Sequence, residues 1–195
     1  AKRPLEVNSN LERWGEPTVV LADAKQTMGC KGGVVTPSPF WQGGDDLSVR
    51  LWLRWDDRYF YVGSKVRDNV QRLPVKTPAA MWQGDSLQLG FDAAGNARNT
   101  GQDGWDTAIS ASSGDDSEWL IGLLEGKATL VRTTAPGSLL PSEVPGVLYA
   151  ARREGEVTSY SIAFPWSVLR PAAPETGLSF ARDRGEWGNF LLAFH

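Results

Sequence analysis

One stretch of the sequence, residues 47–66, constrains the fold most: "LSVRLWLRWDDRYFYVGSKV". Apolar and polar side chains alternate through its first half, which is typical of a strand with one buried face. The acids Asp56 and Asp57 with Arg58 favour a turn, and an aromatic strand follows. The stretch therefore predicts an antiparallel hairpin. Its core face would carry Leu47, Val49, Leu51, Leu53, Trp55, Phe60 and Val62, and its outer face Arg50, Trp52, Arg54, Tyr61 and Lys65.

Other short alternating segments follow the same pattern. The 21 Gly and 12 Pro among 195 residues divide the chain into strands and turns, and no long amphipathic helix interrupts them. We expect strands near residues 18–21, 86–91, 105–111, 118–123 and 128–132, a hairpin turning at Gly155, and a long loop over residues 28–46. The predicted class is an all-β antiparallel β-sandwich, immunoglobulin-like or jelly-roll-like, forming one domain over residues 1–195, either alone or as a module of a larger protein.

Composition excludes several classes of function. The net charge of −3 provides no general field for nucleic acid, and no apolar run approaches the roughly 20 residues that cross a bilayer. The lone cysteine, Cys30, cannot form a disulfide within the chain. The only histidine is the last residue, His195, which argues against a histidine-dependent catalytic triad or a multi-histidine zinc site.

The stretch "MWQGDSLQLGFD", residues 81–92, combines a core pattern with an aromatic at its start. Leu87, Leu89 and Phe91 alternate as a core face, which leaves Gln88 on the outer face. Trp82 precedes the strand beside Asp85. Because a tryptophan pairs a broad apolar face with an N–H donor, Trp82 fits equally well as a cap on the core and as a platform for a ligand.

Four segments in order resemble the family 9 carbohydrate-binding modules and the wider DOMON-like superfamily of β-sandwiches. They are "LERWGEP", "LSVRLWLRWDDRYFYVGSKVRDN", "MWQGDSLQLGFD" and "YSIAFPWSVL". The resemblance implies a non-catalytic module that holds a polysaccharide or oligosaccharide, often at a chain end, with structural calcium nearby. It further implies a secreted, periplasmic or cell-surface protein, with a glycoside hydrolase as a covalently linked catalytic partner.

The same resemblance assigns candidate ligand-binding residues. Trp82 matches the first of two clamp tryptophans and Trp187 the second; Gln88 stands where the family has a carboxylate, and Arg184 where it has an amide. Glutamine donates and accepts hydrogen bonds whereas arginine only donates, so the donor pattern departs from that of the family, and Ser161 replaces a glutamate. A cation-rich slot suits a uronic acid or a sulfated sugar.

Trp52, between Arg50 and Arg54, is a further candidate. We expect these three residues to form a cation–π ladder on the outer face or to lie under a loop; an open face would make them a second ligand site. Trp14, Trp55 and Trp166 are expected in core or turn packing, whereas the roles of Trp41, Trp105 and Trp119 stay open.

Two acids, Asp68 and Asp85, are the candidate calcium ligands, with structural hydrogen bonding as the alternative. Nothing in the sequence fixes a pair of catalytic carboxylates, and no nucleophile motif is present, so we expect no enzyme. Two alternatives remain. One is a b-type haem domain for electron transfer, and the other is a structural sandwich without ligand. The haem alternative would draw its axial ligands from Met28, Met81, Lys25, Lys31, Lys65 and Lys76.

Overall fold

The computed structural model describes residues 4–26, 28–31, 34–37, 41–91, 117–134, 146–169 and 190–194. These residues form eleven strands: β1 (Val19–Leu21), β2 (Met28–Lys31), β3 (Val34–Pro37), β4 (Leu47–Trp55), β5 (Tyr59–Asp68), β6 (Ser86–Phe91), β7 (Ser117–Leu124), β8 (Lys127–Thr134), β9 (Leu148–Glu154), β10 (Val157–Pro165) and β11 (Phe190–Phe194). Three 3₁₀ helices accompany them, at Glu12–Trp14, Ala24–Gln26 and Pro78–Gln83.

The strands form three sheets. One has the order β1-β4-β5-β10-β9, the second β11-β6-β7-β8, and the third is the pair β2-β3. Strand pairs with an assigned register are antiparallel, which confirms the predicted all-β class. In the described part of the chain no helix is long and apolar enough to cross a membrane.

The chain divides into two compact units. Ala1–Arg72 with Leu148–Ala163 makes the first, and Leu73–Val147 with Phe164–His195 makes the second. The expectation of one domain stays a prediction. The predicted hairpins are both found in the first unit: Trp55 pairs with Phe60 across one turn, and Glu154 pairs with Val157 across the other.

The expected long loop over residues 28–46 is wrong in part, because it contains the hairpin of β2 and β3. Met28 pairs with Pro37 and Lys31 with Val34. Only two residues, both glycine, separate the strands, and such short Gly-rich links are common in hairpins. The expected strand at residues 105–111 lies outside the described residues.

The outer face of the β4–β5 hairpin is covered at Trp52, in line with the expectation that this residue lies under a loop, and the open face that a second ligand site would need is not found there. Trp52 is 5% exposed and Tyr61 is 2% exposed. Both belong to a buried cluster with Leu11, Trp14 and Ala163. The N-terminal segment packs its apolar side chains on this face, and the Trp14 ring meets the Tyr61 ring edge-on at 5.9 Å between centroids. The central hairpin is therefore buried on both faces.

Hydrogen bonds fix the N-terminal segment to this face. The Trp52 indole Nε1 donates to the Gly15 carbonyl at 2.8 Å. The Arg54 guanidinium donates to the Trp14 carbonyl at 3.1 Å, to the Thr18 hydroxyl at 2.9 Å, and also to the carbonyls of Leu53 and Glu16. Because Arg54 binds so much main chain, it acts as a structural clamp in this unit.

The expectation of core packing for Trp55 is also wrong, since its side chain is 67% exposed. Trp55 ends β4, where the alternation still assigns it to the core face but the sheet stops. Trp14 and Trp166, at 3% and 7% exposed, are buried as expected. Of the undecided tryptophans, Trp119 is buried. Trp41 is half-buried and donates to the Leu47 carbonyl at 2.8 Å, while Trp105 lies outside the described residues.

Gly63, opposite Trp52, permits the close approach of the N-terminal segment. A Cβ atom at this position would lie 2.9 Å from Leu11 Cδ2 and 2.9 Å from two carbons of the Trp14 ring. We expect Gly63→Ala to lower the free energy of unfolding by about 1–3 kcal/mol, because the buried ring cannot retreat without disrupting the cluster. Urea denaturation measures this loss. Gly44→Ala is the control, since its Cβ would meet its nearest atom at an ordinary 3.7 Å and should change little.

The turn between β4 and β5 contains a coupled acid and phenol. The Tyr61 hydroxyl donates to the Asp56 carboxylate at 2.7 Å, and the amides of Arg58 and Tyr59 donate to its other oxygen. Burial acts to raise the pKa of Asp56, but these hydrogen bonds outweigh burial and the pKa lies below 3.8. Burial first, and then the bond to Asp56, raises the pKa of Tyr61 well above 10.0.

Because of these two pKa shifts, the Asp56–Tyr61 pair contributes its full stability only within a limited pH range. The Asp56 contribution is present above pH 3.8 and is lost as the pH falls through its lowered pKa; the Tyr61 contribution is present below pH 10.0 and is lost as the pH rises above it. We expect the stability difference between the native protein and Tyr61→Phe to be greatest between these limits and to shrink beyond both. Denaturant titrations across pH measure it, and a constant difference would contradict the assignment.

Candidate functional site

The second unit contains the candidate site on its four-stranded sheet. Leu87 pairs with Ile121 and Leu89 with Trp119, and all four side chains are buried. Directly opposed residues share a face, and neighbours along a strand point to opposite faces. The other face therefore carries Gln88, Gly90, Glu118, Leu120 and Gly122, which we call the site face.

A polar network lies on the site face. The Gln88 amide donates to Oε1 of Glu118 on the neighbouring strand. The Thr133 hydroxyl donates to Oε2 of the same carboxylate at 2.8 Å, from a point where the β7–β8 register shifts by one residue. Gln88 and Glu118 are both half-buried, so a solute can reach them. The bulge at Thr133 directs its hydroxyl at the acid.

Trp82 is presented by the 3₁₀ helix Pro78–Gln83. Pro78 begins this helix, and Gly84 ends it by donating to the Met81 carbonyl at 3.1 Å. The Ser86 hydroxyl donates to the same carbonyl at 2.9 Å, which ties the helix to β6. Met81 is fully buried whereas Trp82 is 53% exposed. Burial of Met81 thus anchors the helix and leaves the indole in solvent, as a ligand platform requires and a cap on the core does not.

The helix packs over the site face itself. The Met81 sulfur lies 3.1 Å from the position that a Cβ of Gly122 would take, so only a glycine accommodates it without adjustment. Gly122 and Glu118 are four residues apart on β7, a separation of about 13 Å. The helix that carries Trp82 and the Gln88–Glu118–Thr133 network therefore lie on the same face of one sheet.

Glu118 and Thr133 are site residues that sequence analysis missed. Gln88 stands where the resemblance expects a carboxylate, and the structure places the Glu118 carboxylate directly beside it. Nothing local in the sequence marks Glu118, because its proximity depends on the β6–β7 register. The other predicted residues of this group, Arg184 and Trp187, lie outside the described residues.

The remaining ligand candidates belong to the first unit. Trp52 is buried, the Arg54 guanidinium is bound to main chain and Thr18, and Arg50 is exposed. Ser161, the position of a family glutamate, is also buried in that unit; its hydroxyl accepts the Ser9 amide at 2.9 Å. This bond supports Ser9 at a positive φ of 60°. Its role there is to hold the N-terminal turn.

Asp68 and Asp85 lie in different units. Asp68 accepts the Val70 amide at 2.9 Å, and its carbonyl accepts from Arg153 at 2.7 Å. Asp85 is half-buried just before β6. Within the described residues no group of three or more acidic, histidine or cysteine side chains could hold a metal ion.

The position of Met81 does not support its role as an axial ligand in the haem alternative. Its side chain is fully buried, with the sulfur packed against β7 and Leu73 beside it at Gly122. An axial ligand needs an open position for the metal and its macrocycle. The Met28 side chain lies outside the described residues.

The opposite face of the same sheet is aromatic and includes one buried cation. The Trp119 ring meets the Phe164 ring edge-on at 5.1 Å, and Phe164 meets Phe91 at 5.3 Å. The guanidinium carbon of Arg132 lies 5.5 Å above the Trp119 ring. Such a contact contributes about 2 kcal/mol when desolvated, whereas burying an unpaired charge costs several kcal/mol. Burial also lowers the pKa of Arg132 from its usual range.

Comparison with known proteins supports the architecture. No protein-family model matches the sequence, and no curated protein is similar to it. Similar solved structures include two of a family 9 carbohydrate-binding module from Caldicellulosiruptor kristjanssonii, one in complex with glucose and one in complex with cellotriose. The TM-scores are 0.51 and 0.52 at 12% sequence identity. The matches cover 84% of this chain and 65% and 64% of the other chains. The chain thus has the β-sandwich fold of the family 9 carbohydrate-binding modules.

Proposed function

We propose that this chain is a non-catalytic carbohydrate-binding module. The observation that carries the proposal is an exposed tryptophan on the same sheet face as a half-buried amide–carboxylate pair. An indole covers the apolar face of a sugar ring, while the polar pair offers donors and acceptors to its hydroxyls. The solved structures of the same fold contain glucose and cellotriose, so a β-glucan oligosaccharide is the first ligand to try.

The proposal assigns three roles. Trp82 stacks on a sugar ring, Glu118 accepts hydrogen bonds from sugar hydroxyls, and Gln88 both donates and accepts. Thr133 is a positioning residue, since it holds one oxygen of Glu118. Trp187 and Arg184 complete the proposed clamp as the resemblance assigns them. The module would bring a linked catalytic domain to its polysaccharide outside the cell and raise its effective concentration there.

We expect Trp82→Ala to weaken cellotriose binding by about tenfold to a hundredfold, because an aromatic anchor at a binding centre commonly contributes 2 kcal/mol or more. Isothermal titration calorimetry measures the loss. The matched control is Trp55→Ala, which removes another exposed indole, from the first unit, and should leave binding unchanged. Equal binding by native protein and Trp82→Ala, with both folded, would remove Trp82 from the site.

Glu118→Gln keeps the shape of the side chain but removes the charged acceptor. We expect a loss of about tenfold in affinity for cellotriose, the usual effect of losing a hydrogen bond to an ionised group. Glu125→Gln is the control, since Glu125 is exposed in the turn between β7 and β8. Thermal unfolding of both variants separates a loss of contact from a loss of fold, and undiminished binding by Glu118→Gln would contradict the role of the acid.

A polysaccharide array tests the class of sugar and the need for calcium, and calorimetry tests binding at the chain end. Neutral and uronic-acid polymers distinguish the sugar classes, and each is applied with and without chelator. Cellotriose and its borohydride-reduced form are then compared by calorimetry. A loss on reduction supports binding at the chain end, and a loss with chelator supports calcium. Equal binding of the reduced form excludes a requirement for the reducing end.

A further inference from the structure

Arg132 is a buried cation that the proposed sugar site does not use. It lies on β8, at the edge of the four-stranded sheet, directly opposite Trp119. Its side chain is only 9% exposed. Among the described residues, its Nε atom has no hydrogen-bond partner and its guanidinium forms no ion pair. The ring of Trp119 is its one aromatic neighbour in that part of the chain.

The described acids of this unit are all placed elsewhere. Glu118 is adjacent to Trp119 on β7 and therefore points to the opposite face. Glu125 is exposed in the turn at the other end of the strand pair. Asp85 precedes β6, beside Gly122. The face that holds Arg132 thus gains no negative charge from the described part of the second unit.

A second donor contacts the same aromatic side chain as Arg132. Ser117 is two residues before Trp119 on β7, so it shares the face. Ser117 is 4% exposed, and its oxygen accepts the Trp119 indole N–H at 3.1 Å. That bond leaves the hydroxyl proton to be donated. The Trp119 ring itself packs edge-on against Phe164, so both donors contact an aromatic side chain whose position is fixed.

We propose that Arg132 and Ser117 form an oxyanion-binding site that takes a carboxylate or sulfate group. The planar guanidinium donates two parallel hydrogen bonds to such a group, and the serine hydroxyl adds a third. The anion supplies the negative charge that the described part of the second unit does not place beside the buried arginine. This site is independent of the proposed sugar site, because the two lie on opposite faces of the sheet.

The test uses the Trp82→Ala protein, in which the proposed sugar site is disabled, so that the two proposals fail separately. Sodium glucuronate, glucose, sodium sulfate and sodium chloride are added at matched ionic strength. We expect glucuronate, sulfate or both to raise the Tm by several degrees and to shift the indole N–H resonance of Trp119, while glucose and chloride do neither. An effect of sulfate alone supports a site for a free oxyanion and excludes the sugar carboxylate. No effect of either oxyanion overturns the proposal.

The variant Arg132→Met tests directly whether the arginine binds the oxyanion. Replacing an unpaired buried charge by an apolar side chain is often neutral or stabilising, so this variant should fold with an equal or higher Tm in anion-free buffer. Its affinity for the oxyanion should fall about tenfold or more. Arg132→Lys should retain part of the effect. Lys127→Met, an exposed cation on the same strand, should retain all of it. An oxyanion response that survives Arg132→Met overturns the assignment.

Discussion

The register between β6 and β7 determines what the second unit presents to solvent. Leu87, Leu89 and Ile121 are all fully buried on one face, and each such burial contributes about 2 kcal/mol. A slip of one residue would turn these three side chains onto the site face and bring Gln88 and Glu118 into the aromatic face instead. Core packing therefore forces the amide and the carboxylate together on the other face. Their contact does not depend on their own weak attraction, and a substitution at either residue should leave the register intact.

The position of Trp82 also depends on the packing of its neighbours. It lies in a helix of only six residues, which could not hold a position by its own hydrogen bonds. Met81 buries itself against the glycine of β7, and the Ser86 hydroxyl fixes the last turn. An exposed indole placed by a buried neighbour loses little freedom when a ligand stacks on it, and this preorganisation favours binding.

Alternation in the sequence was sufficient to predict the strand faces but not what covers them. Leu87 and Leu89 are in the core, as predicted, whereas the sequence left open whether Trp82, which is exposed, would cap the core or meet solvent. Trp52 lies on the predicted outer face, yet it is buried because a segment some forty residues earlier folds across it, which no local pattern indicates. Trp55 follows the core alternation but stands where the sheet ends. Glu118 was missed for a related reason: thirty residues separate it from Gln88, and only the strand register joins them.

The charges of the two sheet faces bear on the kind of sugar that fits. The resemblance places a cation at Arg184 and thereby favours an acidic sugar, but the described part of the site face contains the Glu118 carboxylate. A uronic acid ring over Trp82 would bring two like charges together, which disfavours it, whereas the hydroxyls of a neutral ring pair with either member of the Gln88–Glu118 pair. The buried cation, Arg132, is on the opposite face. If an acidic sugar binds this unit, charge therefore favours the Arg132 face for its carboxylate and leaves the Trp82 face to neutral rings.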